Sequence, residues 1–93
     1  MPILDFANPI YTFPGGAHSY TTTKECYLHI GRVVAASSGN ALIYIDGTCV
    51  SGQKISTSDM QGFCGVLKLK AGSVVSTSSQ IHAEAVILIL DEV

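Results

Sequence analysis

The chain has 93 residues, of which 47% are hydrophobic and only 13% are charged, and its formal net charge is −2. This length allows one domain with a modest core, and no apolar run approaches the ~18 residues of a membrane-spanning helix. The composition argues against nucleic-acid binding, because no cluster of basic side chains could neutralise phosphates. The basic residues are scattered, at Lys24, Arg32, Lys54, Lys68 and Lys70.

The N-terminal segment, residues 1–10, is predicted to be an extended lead-in, because Pro2 and Pro9 oppose a helix. It has neither the basic start nor the apolar centre of a signal peptide. We therefore expect the protein to be made in the cytoplasm without export by the general pathway. Residues 11–93 are expected to form a single domain.

The first half of this domain is predicted to contain short strands at 10–13, 19–23, 26–35, 41–45 and 48–50. The last two are separated by Asp46-Gly47. Asp-Gly between two β-prone runs predicts a tight hairpin, because a type I′ turn needs positive φ at both central positions.

The second half begins with residues 51–59, predicted to be a polar loop or weak strand. Strands are then predicted within 62–70, 73–77 and 81–90. Nowhere do apolar residues follow a helical spacing over more than two turns. Seven or eight short strands with frequent turn signals predict an all-β sandwich or barrel.

The last predicted strand changes character along its length. It opens with clean alternation, in which His82 and Glu84 share the polar face, and then becomes apolar on both faces. The strand at 41–45 is also apolar on both faces. A small domain forms one core, which covers only one face of each of these strands. We therefore predict that the other face of each strand contacts another copy of the chain. The predicted contact is one contiguous apolar patch of Leu42, Tyr44, Val86, Leu88 and Leu90.

No pattern in the sequence indicates an enzyme, a metal site or a cofactor. The nucleophile-elbow pattern Gly-x-Ser-x-Gly is absent, and Gly15-Gly16 lacks the rest of a phosphate-binding loop. His82 and Glu84 would need a third ligand from elsewhere to hold a metal, so we interpret them as the polar end of a strand face. We predict no catalytic residues, no metal ligands and no cofactor.

The cysteines and tyrosines are the remaining candidates for a special role. Close paired spacings of the kind found in zinc sites are absent, so the cysteines are interpreted as small, buried, reduced side chains: Cys26, Cys49 and Cys64. Tyrosine on a strand surface suits subunit contacts or stacking on sugar rings. The candidate ligand contacts are Tyr11, Tyr20 and Tyr27.

The order of several segments resembles that of small bacteriophage tail-fibre and receptor-binding head domains. These segments are Tyr20 to Leu28, Ile43 to Gly47, Leu67 to Val75 and the apolar closing strand. More distantly, the pattern is similar to the jelly rolls of the tumour necrosis factor and complement globular-head superfamily. The resemblance covers residues 20–90 and implies a homotrimer with a non-enzymatic adhesive or structural role. We therefore predict that residues 11–93 form a jelly-roll-like antiparallel β-sandwich, a tail-fibre head that binds a host-surface glycan or protein.

Two other functions remain open from the sequence. One is a purely structural virion or trimerisation module without a ligand. The other is a monomeric carbohydrate-binding module. Oligomeric state distinguishes the monomeric carbohydrate-binding module from the trimeric binding head and from the structural module.

Overall fold

The computed structural model describes residues 3–35, 40–54, 59–62 and 65–93. Within these residues every regular element is a β-strand, and the predicted all-β antiparallel sandwich is confirmed. The nine strands are β1 (Tyr11–Thr12), β2 (Ser19–Thr21), β3 (Cys26–Arg32), β4 (Asn40–Ile45), β5 (Thr48–Lys54), β6 (Asp59–Gly62), β7 (Gly65–Leu69), β8 (Val74–Thr77) and β9 (Val86–Leu90).

The strands form two antiparallel sheets with the spatial order of a jelly roll. The first sheet has the order β1-β9-β3-β7, and the second has the order β2-β8-β4-β5-β6. The chain passes back and forth between the sheets, leaving the alternation only at the β4-β5-β6 meander, as expected for two packed Greek keys. Strand β6 widens the second sheet and begins where the sequence marks a polar loop or weak strand.

The hairpin between β4 and β5 forms where Asp46-Gly47 predicts it. Asp46 has φ of 52° and Gly47 has φ of 83°, the pair of positive values that this tight turn requires. The Asp46 carboxylate also accepts a hydrogen bond from the backbone N–H of Val74, at 2.9 Å. The turn is therefore attached to β8 as well as closing its own hairpin.

The core lies between the two sheets and is built from alternate residues of each strand. Because successive side chains of a strand point to opposite faces, the first sheet contributes every second residue of β3 and β9, and the second sheet does the same from β4 and β8. The central buried side chains are Leu28, Ile30, Ala41, Ile43, Val75, Ile87 and Ile89.

The residues before β1 lie along the C-terminal end of the chain. The backbone N–H of Asp5 donates to the carbonyl of Asp91 at 2.9 Å, and that of Val93 donates to Ile3 at 2.8 Å. Between these bonds and β1, the chain turns so that the ring of Phe6 meets the ring of His29 edge-on, with 5.0 Å between centroids. We call residues 3–10 the N-terminal strap.

The last strand is shorter than predicted, because residues 82–85 form a turn. The sequence predicts a strand from residue 81, but β9 begins at Val86 and a turn precedes it. The backbone N–H of Glu84 donates to Nδ1 of His82 at 3.0 Å, and that of Ala85 donates to the carbonyl of His82 at 3.1 Å. These local bonds replace the ladder bonds that a strand would need. His82 and Glu84 therefore do not share a strand face.

The cysteines differ from one another in exposure. Cys26 is buried, as predicted, and burial raises the pKa of its thiol. Cys49 is exposed, contrary to the prediction, because it pairs in register with Tyr44 on the outward side of the second sheet. Cys64 lies outside the described residues. Within those residues, the structure contains no helix long and apolar enough to span a membrane.

This difference predicts selective labelling by a thiol reagent. Two double variants each keep one of the two cysteines: Cys26→Ala/Cys64→Ala keeps Cys49, and Cys49→Ala/Cys64→Ala keeps Cys26. In native buffer we expect rapid labelling of Cys49, while Cys26 should react only when denaturant is added. Rapid native labelling of Cys26 would contradict its position in β3.

Candidate functional site

The predicted subunit contact is divided between the two outer surfaces of the sandwich. Leu42 and Tyr44 alternate with the core residue Ile43 on β4, so they face outward from the second sheet. Val86 and Leu88 alternate with core residues of β9 and face outward from the first sheet. The contiguous patch predicted from the sequence is therefore wrong, because alternation within a strand does not reveal which sheet that strand joins.

Leu90 is also removed from the predicted contact. It follows Leu88 on the outer side of β9, yet its exposed fraction in the single chain is 0%. Its neighbour on one side is Tyr27 of β3, and on the other side runs the N-terminal strap, whose Leu4 bridges to Glu92. The chain thus buries this leucine without help from another copy.

The outer side of the first sheet nevertheless carries an apolar surface, which we call the apolar face: Phe6, His29, Val86 and Leu88. Phe6 is 52% exposed and Val86 is 39% exposed, while His29 and Leu88 are partly buried register partners. A large apolar ring and a branched aliphatic side chain therefore remain in water on this side.

Glycine at position 31 fits the packing of this face. A Cβ atom there would lie 2.9 Å from Nε2 of His29 and 3.2 Å from Cγ1 of Val86. Nδ1 of His29 is buried and, in the part of the chain that the structure describes, has no hydrogen-bond partner. The contact that the structure gives the His29 ring on this face is the edge-on packing against Phe6.

Two of the three candidate tyrosines have a structural role. The rings of Tyr11 and Tyr20 stack with 4.8 Å between centroids, and Tyr11 also meets Phe13 edge-on at 4.8 Å. Tyr11 belongs to the first sheet and Tyr20 to the second, and both pack against the core. These rings close the space between the sheets, which explains their positions by packing, and their contact with a ligand stays a prediction.

Tyr27 lies instead at a surface depression of about 230 Å³, which we call the polar depression. Tyr27 and Lys68 are register partners on the outer side of β3 and β7. Glu25 immediately precedes β3, while the acidic pair Asp91-Glu92 immediately follows β9. The lining is therefore assembled from three separate parts of the sequence: Glu25, Tyr27, Lys68, Asp91 and Glu92.

Two carboxylates of the depression are held by neighbouring donors. The hydroxyl of Tyr27 donates to Oε1 of Glu92 at 2.6 Å, and this hydrogen bond raises the pKa of the phenol. The Lys24 ammonium donates to Asp91 in an ion pair, which lowers the pKa of that carboxyl and raises the pKa of the lysine. Asp91 thus stays ionised well below neutral pH, whereas exposure to solvent keeps the contribution of the pair to stability small.

The other two histidines have ordinary local partners. A ring nitrogen of His18, Nε2, lies 3.1 Å from the carbonyl oxygen of Gly15, and His82 accepts the backbone bond from Glu84. Among the described residues, no three His, Cys, Asp or Glu side chains are grouped to hold a metal ion.

No protein-family model matches the chain, and no curated protein or solved structure is significantly similar to it. The proposed function therefore depends on the fold, the apolar face and the polar depression. Both surfaces lie on the outer side of the first sheet, at different positions along β3 and β9.

Proposed function

We propose that this chain is a non-enzymatic binding head that assembles as a homotrimer through the apolar face and binds a host-surface ligand. The observation that carries the proposal is the exposure of Phe6 and Val86 on a sheet whose other side already forms the core. Burying a large apolar side chain contributes roughly 1.5–3 kcal/mol. Several such side chains per copy are needed to offset the loss of translational and rotational freedom on association.

The proposed biological setting is the tail fibre of a phage or prophage, with the protein carried as a virion component. The jelly-roll strand order agrees with the fold that the sequence resemblance implies. Jelly rolls are frequent in capsid and lectin domains, but one fold hosts many functions. The proposal therefore depends on what the two surfaces do.

A matched pair of substitutions tests the subunit contact. Val86 on the first sheet is 39% exposed, and Val74 on the outer side of the second sheet is 38% exposed. Val86→Glu places a charge beside Arg32, its register partner, and Val74→Lys places a charge beside Asp46, whose backbone and carboxylate bind Val74. Each new charge has an opposite neighbour, so both single chains should fold.

Light scattering measures the molecular mass of the wild-type protein and of both variants. We expect the wild-type protein and Val74→Lys to show the mass of three chains, and Val86→Glu to show the 9.8 kDa of one chain. A wild-type protein that is monomeric at every concentration would overturn the self-assembly proposal. Dissociation by Val74→Lys alone would instead move the contact to the second sheet, where Leu42 and Tyr44 lie.

A further inference from the structure

We infer that the polar depression binds a single neutral sugar ring, through carboxylate acceptors, the Lys68 ammonium and the Tyr27 side chain. This inference rests on the proposed binding function and names the chemical class of its ligand. Of the three tyrosines predicted from the sequence as ligand contacts, Tyr27 is the one that lines this depression.

The lining matches the chemistry of a sugar. Adjacent hydroxyl groups of a sugar ring both donate and accept hydrogen bonds, while the carbons of the ring present an apolar face. The depression offers acceptors in Glu25 and Asp91, a donor in Lys68 and an aromatic ring in Tyr27. Its volume of about 230 Å³ is below the ~300–1,000 Å³ of sites for drug-sized ligands, which suits one ring rather than an extended molecule.

The charges of the depression favour a neutral ligand over a charged one. Asp91 is already paired with Lys24, and Glu92 already accepts the hydrogen of Tyr27. Within the described residues, Glu25 and Lys68 have no ion-pair partner and carry opposite charges. The lining carries three carboxylates and one ammonium group, so an anionic ligand would be repelled. Because Asp91 and Glu92 already have partners, Glu25 is the carboxylate left to attract a cation, and the Lys68 ammonium opposes that attraction. Neutral hydroxyl groups avoid both penalties.

The side chain of Tyr27 is positioned before a ligand arrives. The hydrogen bond from Tyr27 to Glu92 fixes the phenol and leaves its oxygen free to accept a hydrogen bond from a ligand hydroxyl. Tyr27 also projects from β3, whose backbone is paired on both sides, rather than from a loop. Less binding energy is therefore spent on ordering the site.

The position of the depression fits binding by an assembled head. Val86 and the polar residues that follow Leu90 lie at opposite ends of β9. Contact between copies at the Val86 end leaves the depression at the rim of the contact. Several identical sites on one particle would raise the apparent affinity for a sugar-coated surface, although each site is weak alone.

The experiment uses the full chain and arrays of immobilised neutral, sialylated and free-amine sugars. Lys68→Met removes the donor from an exposed strand position, and Lys70→Met is the matched control, since this exposed lysine is not part of the lining. Tyr27→Phe keeps the ring but breaks the bond to Glu92. We expect binding to neutral sugars, weakened roughly tenfold or more by Lys68→Met and by Tyr27→Phe, and unchanged by Lys70→Met.

Each other result overturns the inference. No binding to any neutral sugar, preference for sialylated or amine sugars, or equal binding by Lys68→Met and the wild type would each do so. The mass of the same wild-type sample is measured in parallel by light scattering. A trimer without sugar binding defeats only this inference, whereas a monomer that binds neutral sugars defeats only the self-assembly proposal.

Discussion

Truncation of Leu28 to alanine is expected to lower the free energy of unfolding by about 3 kcal/mol. Leu28 is fully buried at the centre of the first sheet, where Leu67 and Ile89 are its register partners on either side. Removing its side chain loses transfer free energy and leaves a cavity, which together cost ~2–5 kcal/mol in well-packed cores. The corresponding fall in Tm is about 12–24 °C.

Leu67→Ala is the matched control for this prediction. It makes the same chemical change directly opposite Leu28, but on the edge strand β7, where the leucine is partly exposed. We expect a clearly smaller loss, because water already reaches the side chain and can fill the space. Urea unfolding at one fixed protein concentration measures both variants. Equal losses would contradict the partial exposure of Leu67 on the edge strand β7.

The second large effect is expected from Thr77→Val, about 2 kcal/mol of lost stability. The buried hydroxyl of Thr77 accepts the backbone N–H of His18 at 3.0 Å and donates to the carbonyl of Gly16 at 3.0 Å. Valine keeps the shape of the side chain but satisfies neither group. Leaving partly buried backbone groups without partners costs ~1–3 kcal/mol. The loop between β1 and β2 should therefore loosen from β8.

Thr21→Val serves as the control, because Thr21 is exposed on the adjacent strand β2 and pairs with Val74. Valine is at least as favourable as threonine in an exposed strand, so little change is expected. Native-state hydrogen exchange adds a local measurement: the amide of His18 should lose protection in Thr77→Val and keep it in Thr21→Val. Unchanged protection of His18 in Thr77→Val would show that the hydroxyl does not hold this loop.

The first sheet combines the two proposed activities on one outer side. Its apolar face would hold copies of the chain together, and its polar depression would contact the ligand. Tyr27 and His29 lie two residues apart on the same side of β3. A substitution at one of the two surfaces is therefore expected to affect the other. Measuring mass and sugar binding on the same variants separates the two effects.

The sequence by itself determined the local features of this protein. Strand alternation is visible in neighbouring residues, so Leu42 and Leu88, predicted to lie on the other face of their strands, do point away from the core. Asp46-Gly47 fixed its hairpin because a type I′ turn is decided by the backbone preferences of two residues. These preferences act over a few bonds and do not depend on the rest of the chain.

Only the tertiary structure determined which sheet each strand joins and which distant residues lie next to each other. It put β4 and β9 in different sheets, which divided the predicted apolar patch, and it laid the N-terminal strap beside β9. It also brought Tyr27 to Glu92, 65 residues away. Pairing between distant strands is set by the combined packing of the core and the pairing of backbone groups over the whole chain, so no local pattern could reveal it.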